Sequence, residues 1–135
     1  HKNSVVAKFL NQAFSGETLE IYGDGKQTRD FIYIDDLIQA IILSVNSDVG
    51  GEVFQVATFK ETTVDEIADK IKNIIENETD KKVSIVHGET RLGDVKRNYS
   101  DISKAKRMLG FSPDFDLAKG LENTFEYFRL RNKKS

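Results

Sequence analysis

Two arginines carry the strongest chemical suggestion in this sequence. Arg29 stands in the run Leu19 to Asp36, LEIYGDGKQTRDFIYIDD, at the end of a polar connector holding Gly23, Asp24 and Gly25. Arg91 stands in a second polar loop with Gly93, Asp94, Lys96 and Arg97. A guanidinium stays protonated and presents a planar fork of donors, so two of them on loops far apart in sequence could grip a diphosphate through charge-assisted hydrogen bonds. A plainer reading stands beside this one. Asp-Gly between two apolar runs is a hairpin-turn signal, and one arginine near a turn is an ordinary solvated charge.

Other chemistries do not assemble. The chain has no cysteine, which removes thiolate nucleophiles, disulfides and cysteine-ligated metals, and its two histidines, His1 and His87, are too few for most zinc sites. There is no P-loop and no dinucleotide fingerprint, because Gly23-Asp24-Gly25 leads into Lys-Gln-Thr and a strand-like run where the fingerprint needs a third glycine opening a helix. Lys and Arg number 20 against 22 Asp and Glu, a formal net charge of -2, so nothing general points to nucleic acid or an anionic membrane as partner. The longest apolar run, Leu37 to Val45, is interrupted by Gln39 and Ser44 and falls well short of the roughly 20 residues that span a bilayer. The absence of cysteine is compatible with a cytoplasmic protein. The first residues, HKNSVV, lack a signal-peptide core, and His1 in place of an initiator methionine points to a cloning scar or a cut.

The elements that must position the two arginines follow from periodicity. At 135 residues the chain fits one domain, residues 1–135, with no room for a second full one. Val5, Val6, Phe9, Leu10 and Ala13 predict a helix over residues 4–15. Leu19–Tyr22 and Phe31–Ile34 read as strands flanking the connector, and Asp35-Asp36 open a second helix through Val45 at the positive end of its dipole. Glu52–Ala57, EVFQVA, reads as a partly or wholly buried strand. Thr63-Val64-Asp65-Glu66 has the form of a capping box before an apolar face of Val64, Ile67, Ala68, Ile71, Ile74 and Ile75. Lys82–His87 reads as a further strand, Asp101 as the cap of a short helix stopped by Gly110, and Leu117 to Leu130 as a last helix with Arg129, Arg131, Lys133 and Lys134 at its negative end. Alternating helices and short strands give an α/β chain.

Three ordered segments carry a family resemblance. LEIYGDGKQTRDFIYIDDLIQAI closely resembles the C-terminal half of the extended short-chain dehydrogenase/reductase enzymes that act on nucleotide sugars, the NAD-dependent epimerases and dehydratases of the UDP-glucose 4-epimerase type. RLGDVKRNYSDISKAKRMLGFSP resembles that family's second segment, an arginine, a Gly-Asp pair, Asp-x-x-Lys-Ala and a Leu-Gly-Phe-x-Pro ending. Between them EVFQVATFKETTVDEIADKI is similar to the family's last sheet strand and following helix, so the likeness covers essentially the whole chain.

The resemblance implies the C-terminal, substrate-binding part of an extended Rossmann-type enzyme, with mixed short strands and helices. It implies that Arg29 reaches the nucleotide diphosphate or ribose, that Arg91 clamps the phosphates from the other side, and that Asp94 accepts from a ribose hydroxyl. Leu19 and Ile21 then lie on the strand beside which the base packs, with Tyr22 and Gln27 as further candidates for that wall. Two positions depart from the family's habit: Gln55-Val56-Ala57 stands where Asn-x-Gly is common, and Leu92 where a proline is common. The family's Gly-rich NAD turn and its catalytic Tyr-x-x-x-Lys pair belong to an N-terminal part absent from this sequence, so no catalytic residue is nominated. NAD is expected in the full-length enzyme and not on this chain alone. The strand matching Glu52–Ala57 would belong to the NAD-domain sheet and leave an unpaired edge here. The implied function is to bind a UDP-sugar, ahead of a dTDP-sugar, for an epimerase whose full-length form could be a homodimer. The alternatives are a dTDP-glucose 4,6-dehydratase, a UDP-glucuronate decarboxylase, or a binding module without catalysis.

Overall fold

Thr63 and Glu66 form the reciprocal cap that their spacing predicts. In the computed structural model, which describes residues 4–133, the Thr63 hydroxyl accepts from the Glu66 N–H at 3.1 Å and the Glu66 carboxylate accepts from the Thr63 N–H at 2.7 Å. The expectations placed on His1 and Lys134 lie outside the described residues. In chain order the elements are α1 (Val5–Phe14), β1 (Leu19–Tyr22), β2 (Thr28–Arg29), α2 (Ile34–Val45), β3 (Thr62–Thr63), α3 (Val64–Glu78), β4 (Ile85–Gly88), α4 (Ser103–Leu109) and α5 (Leu117–Asn132). They are organised in two compact units, each assembled from segments distant in sequence.

The described part of the first unit comprises residues 4–27, 63–96 and 121–133. Its centre is β1, whose alternation buries Leu19 and Ile21 and turns Glu20 and Tyr22 outward. Helix α3 brings Ile67, Ile71 and Ile75, spaced to share one face and fully buried. Each such side chain contributes roughly 1.5–3 kcal/mol on burial. Helix α1 adds Phe9, Leu10 and Ala13, and α5 adds Leu121 and Phe125, the latter stacked on Phe14 with ring centroids 5.6 Å apart.

The expected hairpin does not form. β1 pairs in parallel with β4, Leu19 opposite Ile85 and Tyr22 opposite Gly88, while Phe31–Tyr33 carry no strand and Ile34 already opens α2. The reason is visible in the connector. The Asp65 N–H donates to the Gly25 carbonyl at 3.0 Å and the Val64 N–H to the Gln27 carbonyl at 3.1 Å, so the turn supplies acceptors for the first N–H groups of α3 instead of closing a ladder. The strand expected at Lys82–His87 begins later, at Ile85, because the Val83 N–H is taken by the Glu76 carboxylate at 3.0 Å and its side chain enters the core.

The second unit comprises residues 28–62 and 97–120. Ala40, Ala57, Ile102, Ala105, Leu109 and Phe111 form its core, with Ile32, Leu43, Phe54 and Val56 packed against it. Glu52–Ala57, expected as a strand, has the burial alternation of one but no ladder partner among the described residues: Phe54 and Val56 face the core while Val53 is 79 % exposed. Alternation specifies a face; a strand also needs a neighbour. Asp36 lies in the first turn of α2, yet its main task is tertiary. Buried to 1 % exposure, its carboxylate accepts from the Asp114 N–H at 2.8 Å and the Phe115 N–H at 3.1 Å. Asp101 precedes the cap position of α4, which is Ile102, and its carboxylate holds both the N–H and the hydroxyl of Ser103. Those two bonds keep its carboxyl below the usual range.

Candidate functional site

Parallel β1 and β4 end side by side, and the chain leaves each by a polar loop. The Gly23 N–H donates to the Gly88 carbonyl at 3.2 Å, extending the ladder past Tyr22, and the Gly23 and Thr90 backbones then run close together. These two loops hold Gln27, Arg91 and Asp94. Ligands in α/β sheets collect outside the carboxyl ends of parallel strands, where loop N–H groups and side chains converge.

Residues 91–94 make a tight turn. The Asp94 N–H donates to the Arg91 carbonyl at 3.2 Å, and Gly93 has φ +80°, the requirement of the third residue of a type II turn. Leu92, at the second position, is 100 % exposed, and Arg91 is exposed beside it. This is the position where a proline would fit the turn, which gives the departure at Leu92 a concrete meaning.

Gln27 ties the site residues of this unit together. Its side-chain N–H groups donate to the Tyr22 carbonyl at 2.8 Å and to the Asp94 carboxylate at 3.2 Å. Tyr22 is exposed at the end of β1 with the Lys8 ammonium 4.0 Å from its ring centroid, a cation–π arrangement. Leu19 and Ile21, named as strand residues beside a base, are in the core and present no side-chain surface to a ligand. Tyr22 and Lys26 stand at Tyr-x-x-x-Lys spacing, but one ends a strand and the other lies past a turn. That spacing makes two side chains neighbours on a helix, which this segment is not, so the pair is not read as catalytic.

Arg29 belongs to the second unit. It is half-buried, and its guanidinium donates to the Thr28 carbonyl at 2.7 Å. The adjacent Asp30 carboxylate accepts from the Thr58 N–H at 2.9 Å, the Thr58 hydroxyl at 2.5 Å and the Phe59 N–H at 2.9 Å, which pins the segment following Ala57. Arg97, which follows Arg91 in the second polar loop, is engaged within this unit. It makes a two-pronged pair with the Glu61 carboxylate at 2.8 and 2.6 Å, and Glu61 also accepts from the Thr28 hydroxyl at 2.7 Å. The Arg97 and Thr28 hydrogen bonds lower the Glu61 carboxyl to about 2 and the same carboxylate raises Arg97 further.

Two polar pairs escaped the sequence reading, Glu61–Arg97 and Asp65–His87, the second with the imidazole Nε2 2.8 Å from the carboxylate. No local spacing joins residues 36 or 22 positions apart, so no signal marks them. Among the described residues no group of three His, Asp or Glu side chains could hold a metal ion, and no helix is long and apolar enough to cross a membrane.

Comparison with known proteins bears on this geometry. The family described as GDP-mannose 4,6 dehydratase matches residues 2–124. UDP-glucuronic acid decarboxylase 1 of Danio rerio is 36 % identical over 124 residues, covering 92 % of this chain and 28 % of that protein. Among solved structures, UDP-glucose 4-epimerase of Thermotoga maritima with UDP-glucose is 36 % identical with a TM-score of 0.86, over 98 % of this chain and 41 % of that one. UDP-glucuronic acid 4-epimerase of Bacillus cereus in complex with UDP-glucuronic acid and NAD is 28 % identical with a TM-score of 0.82, over 96 % of this chain and 40 % of that one. The chain spans about 40 % of the length of the curated epimerases it matches.

Proposed function

The chain belongs to the GDP-mannose 4,6 dehydratase family, the nucleotide-sugar epimerases and dehydratases, and from that premise we propose that it is the C-terminal, UDP-sugar-binding portion of an NAD-dependent epimerase. The observation that carries this reading is the placement of Gln27, Arg91 and Asp94 in the two loops leaving the carboxyl ends of parallel β1 and β4. Arg91 and Arg29 each supply a guanidinium fork for the diphosphate, and Asp94 accepts from a ribose hydroxyl. β1 serves as the wall for the base through its position, since Leu19 and Ile21 are spent on the core.

The described residues do not fit NAD: no glycine-rich turn opens a helix here, and no redox step is assigned to this chain. NAD belongs to the remainder of the polypeptide, where it would oxidise the sugar at C4 while this portion holds the nucleotide. Helix α2 supports such a partner. Ala40 lies in the second unit's own core and Leu43 packs against it. Ile34, Ile38, Ile41, Ile42 and Val45 lie bare at 45–78 % exposure. A helix apolar on both sides is built to be buried on both. We place the full-length enzyme in the cytoplasm as a homodimer, readable by fractionation and light scattering.

Calorimetry with UDP and dTDP tests the binding assignment. UDP is expected to bind more tightly than dTDP, and Arg29→Ala and Arg91→Ala are each expected to weaken UDP about tenfold or more, the loss of a hydrogen bond to a charged group. Unchanged binding in both variants would remove the site. With UDP-glucose and NAD this chain alone should yield no product; robust epimerisation would overturn the division of labour. A UDP-glucuronate decarboxylase is the second reading, favoured by the 36 % identity with the Danio rerio enzyme. Carbon dioxide release by the full-length protein on UDP-glucuronate would select it.

A further inference from the structure

We propose that Gln27 is a positioning residue that sets the Asp94 carboxylate and the Arg91–Asp94 turn, and that it does not itself touch the nucleotide. The inference rests on the UDP-sugar reading above and adds a role for a residue first considered as wall. A primary amide has two N–H donors, and both of those on Gln27 are committed within the protein, one to the Tyr22 carbonyl at 2.8 Å and one to the Asp94 carboxylate at 3.2 Å. Its main chain is committed as well. The Gln27 carbonyl accepts from Val64 at 3.1 Å and the Gly25 carbonyl from Asp65 at 3.0 Å, so the side chain springs from backbone clamped to the first turn of α3.

Gln27 therefore joins three elements: the end of β1, the start of α3 and the turn that presents Arg91. Its amide lies between two acceptors, a carbonyl and a carboxylate. Removing it takes away a donor that both acceptors share, and Asp94 loses its bond to Gln27. Because the Asp94 N–H closes the turn on the Arg91 carbonyl at 3.2 Å, a shift at Asp94 is passed to the arginine. Glutamate in place of Gln27 keeps the length and shape but offers a third acceptor, and asparagine is one methylene short.

The test is a double-mutant cycle read by UDP calorimetry, with amide hydrogen exchange at Asp94 as a ligand-free measurement. Gln27→Ala is expected to weaken UDP about tenfold, because the Asp94 carboxylate and the Arg91 turn must then be ordered when the ligand binds. In an Asp94→Ala background the same substitution is expected to change affinity less than twofold. Gln27→Glu should be at least as damaging as Gln27→Ala, and both should accelerate exchange of the Asp94 amide. Losses that multiply across the cycle, or full affinity in Gln27→Glu, overturn the proposal and make Gln27 a direct contact. If the unaltered chain binds no UDP, the binding assignment fails by itself, and the exchange measurement still decides Gln27: unchanged protection at Asp94 overturns its role and faster exchange supports it.

Discussion

Replacing Gly25 by alanine tests whether the connector is held by α3. Gly25 has φ +71°, and a Cβ there would lie 1.9 Å from Asp65 Oδ1, 2.3 Å from its Cγ and 2.7 Å from Oδ2. The left-handed conformation costs an alanine about 1–2 kcal/mol. The overlap cannot be absorbed in place, so the Asp65 side chain must rotate, at about 0.5–1.5 kcal/mol if it is driven off its rotamer. Rotation also breaks the 2.8 Å contact with His87, an exposed pair with side chains 48 % and 38 % accessible. Such a pair is worth about 0–1 kcal/mol. The expected loss is roughly 1.5–4.5 kcal/mol, a fall in melting temperature on the order of 5–18 °C for a domain of this size. Urea and thermal unfolding followed by circular dichroism give the number. In an Asp65→Ala background the three closest atoms are gone, and the cost of Gly25→Ala should drop to the backbone contribution, about 1–2 kcal/mol. Equal costs in the two backgrounds, or a loss below about 1 kcal/mol in the native one, would refute the clamped-connector argument.

Three further outcomes are expected. Asp36→Ala removes the acceptor of two N–H groups and should destabilise by roughly 2–4 kcal/mol in urea unfolding, with Asp36→Asn near half of that because one acceptor oxygen remains; a loss under about 1 kcal/mol would show the carboxylate to be incidental. Leu92→Pro places the favoured residue at the second position of the type II turn, on a fully exposed side chain, and should raise stability by about 0.4–1 kcal/mol through the unfolded state; a lower melting temperature would contradict the turn assignment. Glu61 has a folded pKa of about 2 against its ordinary 4.5, so its pairing contributes fully above pH 4.5 and is lost as the pH falls toward 2. Arg97→Gln should flatten the fall in melting temperature across that window relative to the unaltered chain, modestly because the pair is exposed; identical slopes would disconnect Glu61 from Arg97.

What the sequence alone determined is what a few neighbouring residues can decide. The Thr63–Glu66 cap, the isoleucine face of α3, the extent of α1 and the glycine stop after Leu109 all rest on interactions within one or two helical turns, and each is found where periodicity placed it. Family membership, too, was legible in three ordered segments, and the matched family covers residues 2–124. Tertiary structure alone decided partners. Leu19–Tyr22 had every mark of a hairpin strand, yet its neighbour is Ile85–Gly88, in parallel, because the connector carbonyls are taken by Val64 and Asp65. Glu52–Ala57 had the alternation of a strand and no strand beside it. Arg97 looked as available as Arg91 until Glu61, distant in sequence, neutralised it, and nothing in the sequence near Gln27 announced that its amide bridges Tyr22 and Asp94. Caps and faces are local and leave their pattern in the chain. Ladders, ion pairs and bridging amides join residues whose separation in sequence carries no period, and only folding brings their donors and acceptors within bonding distance.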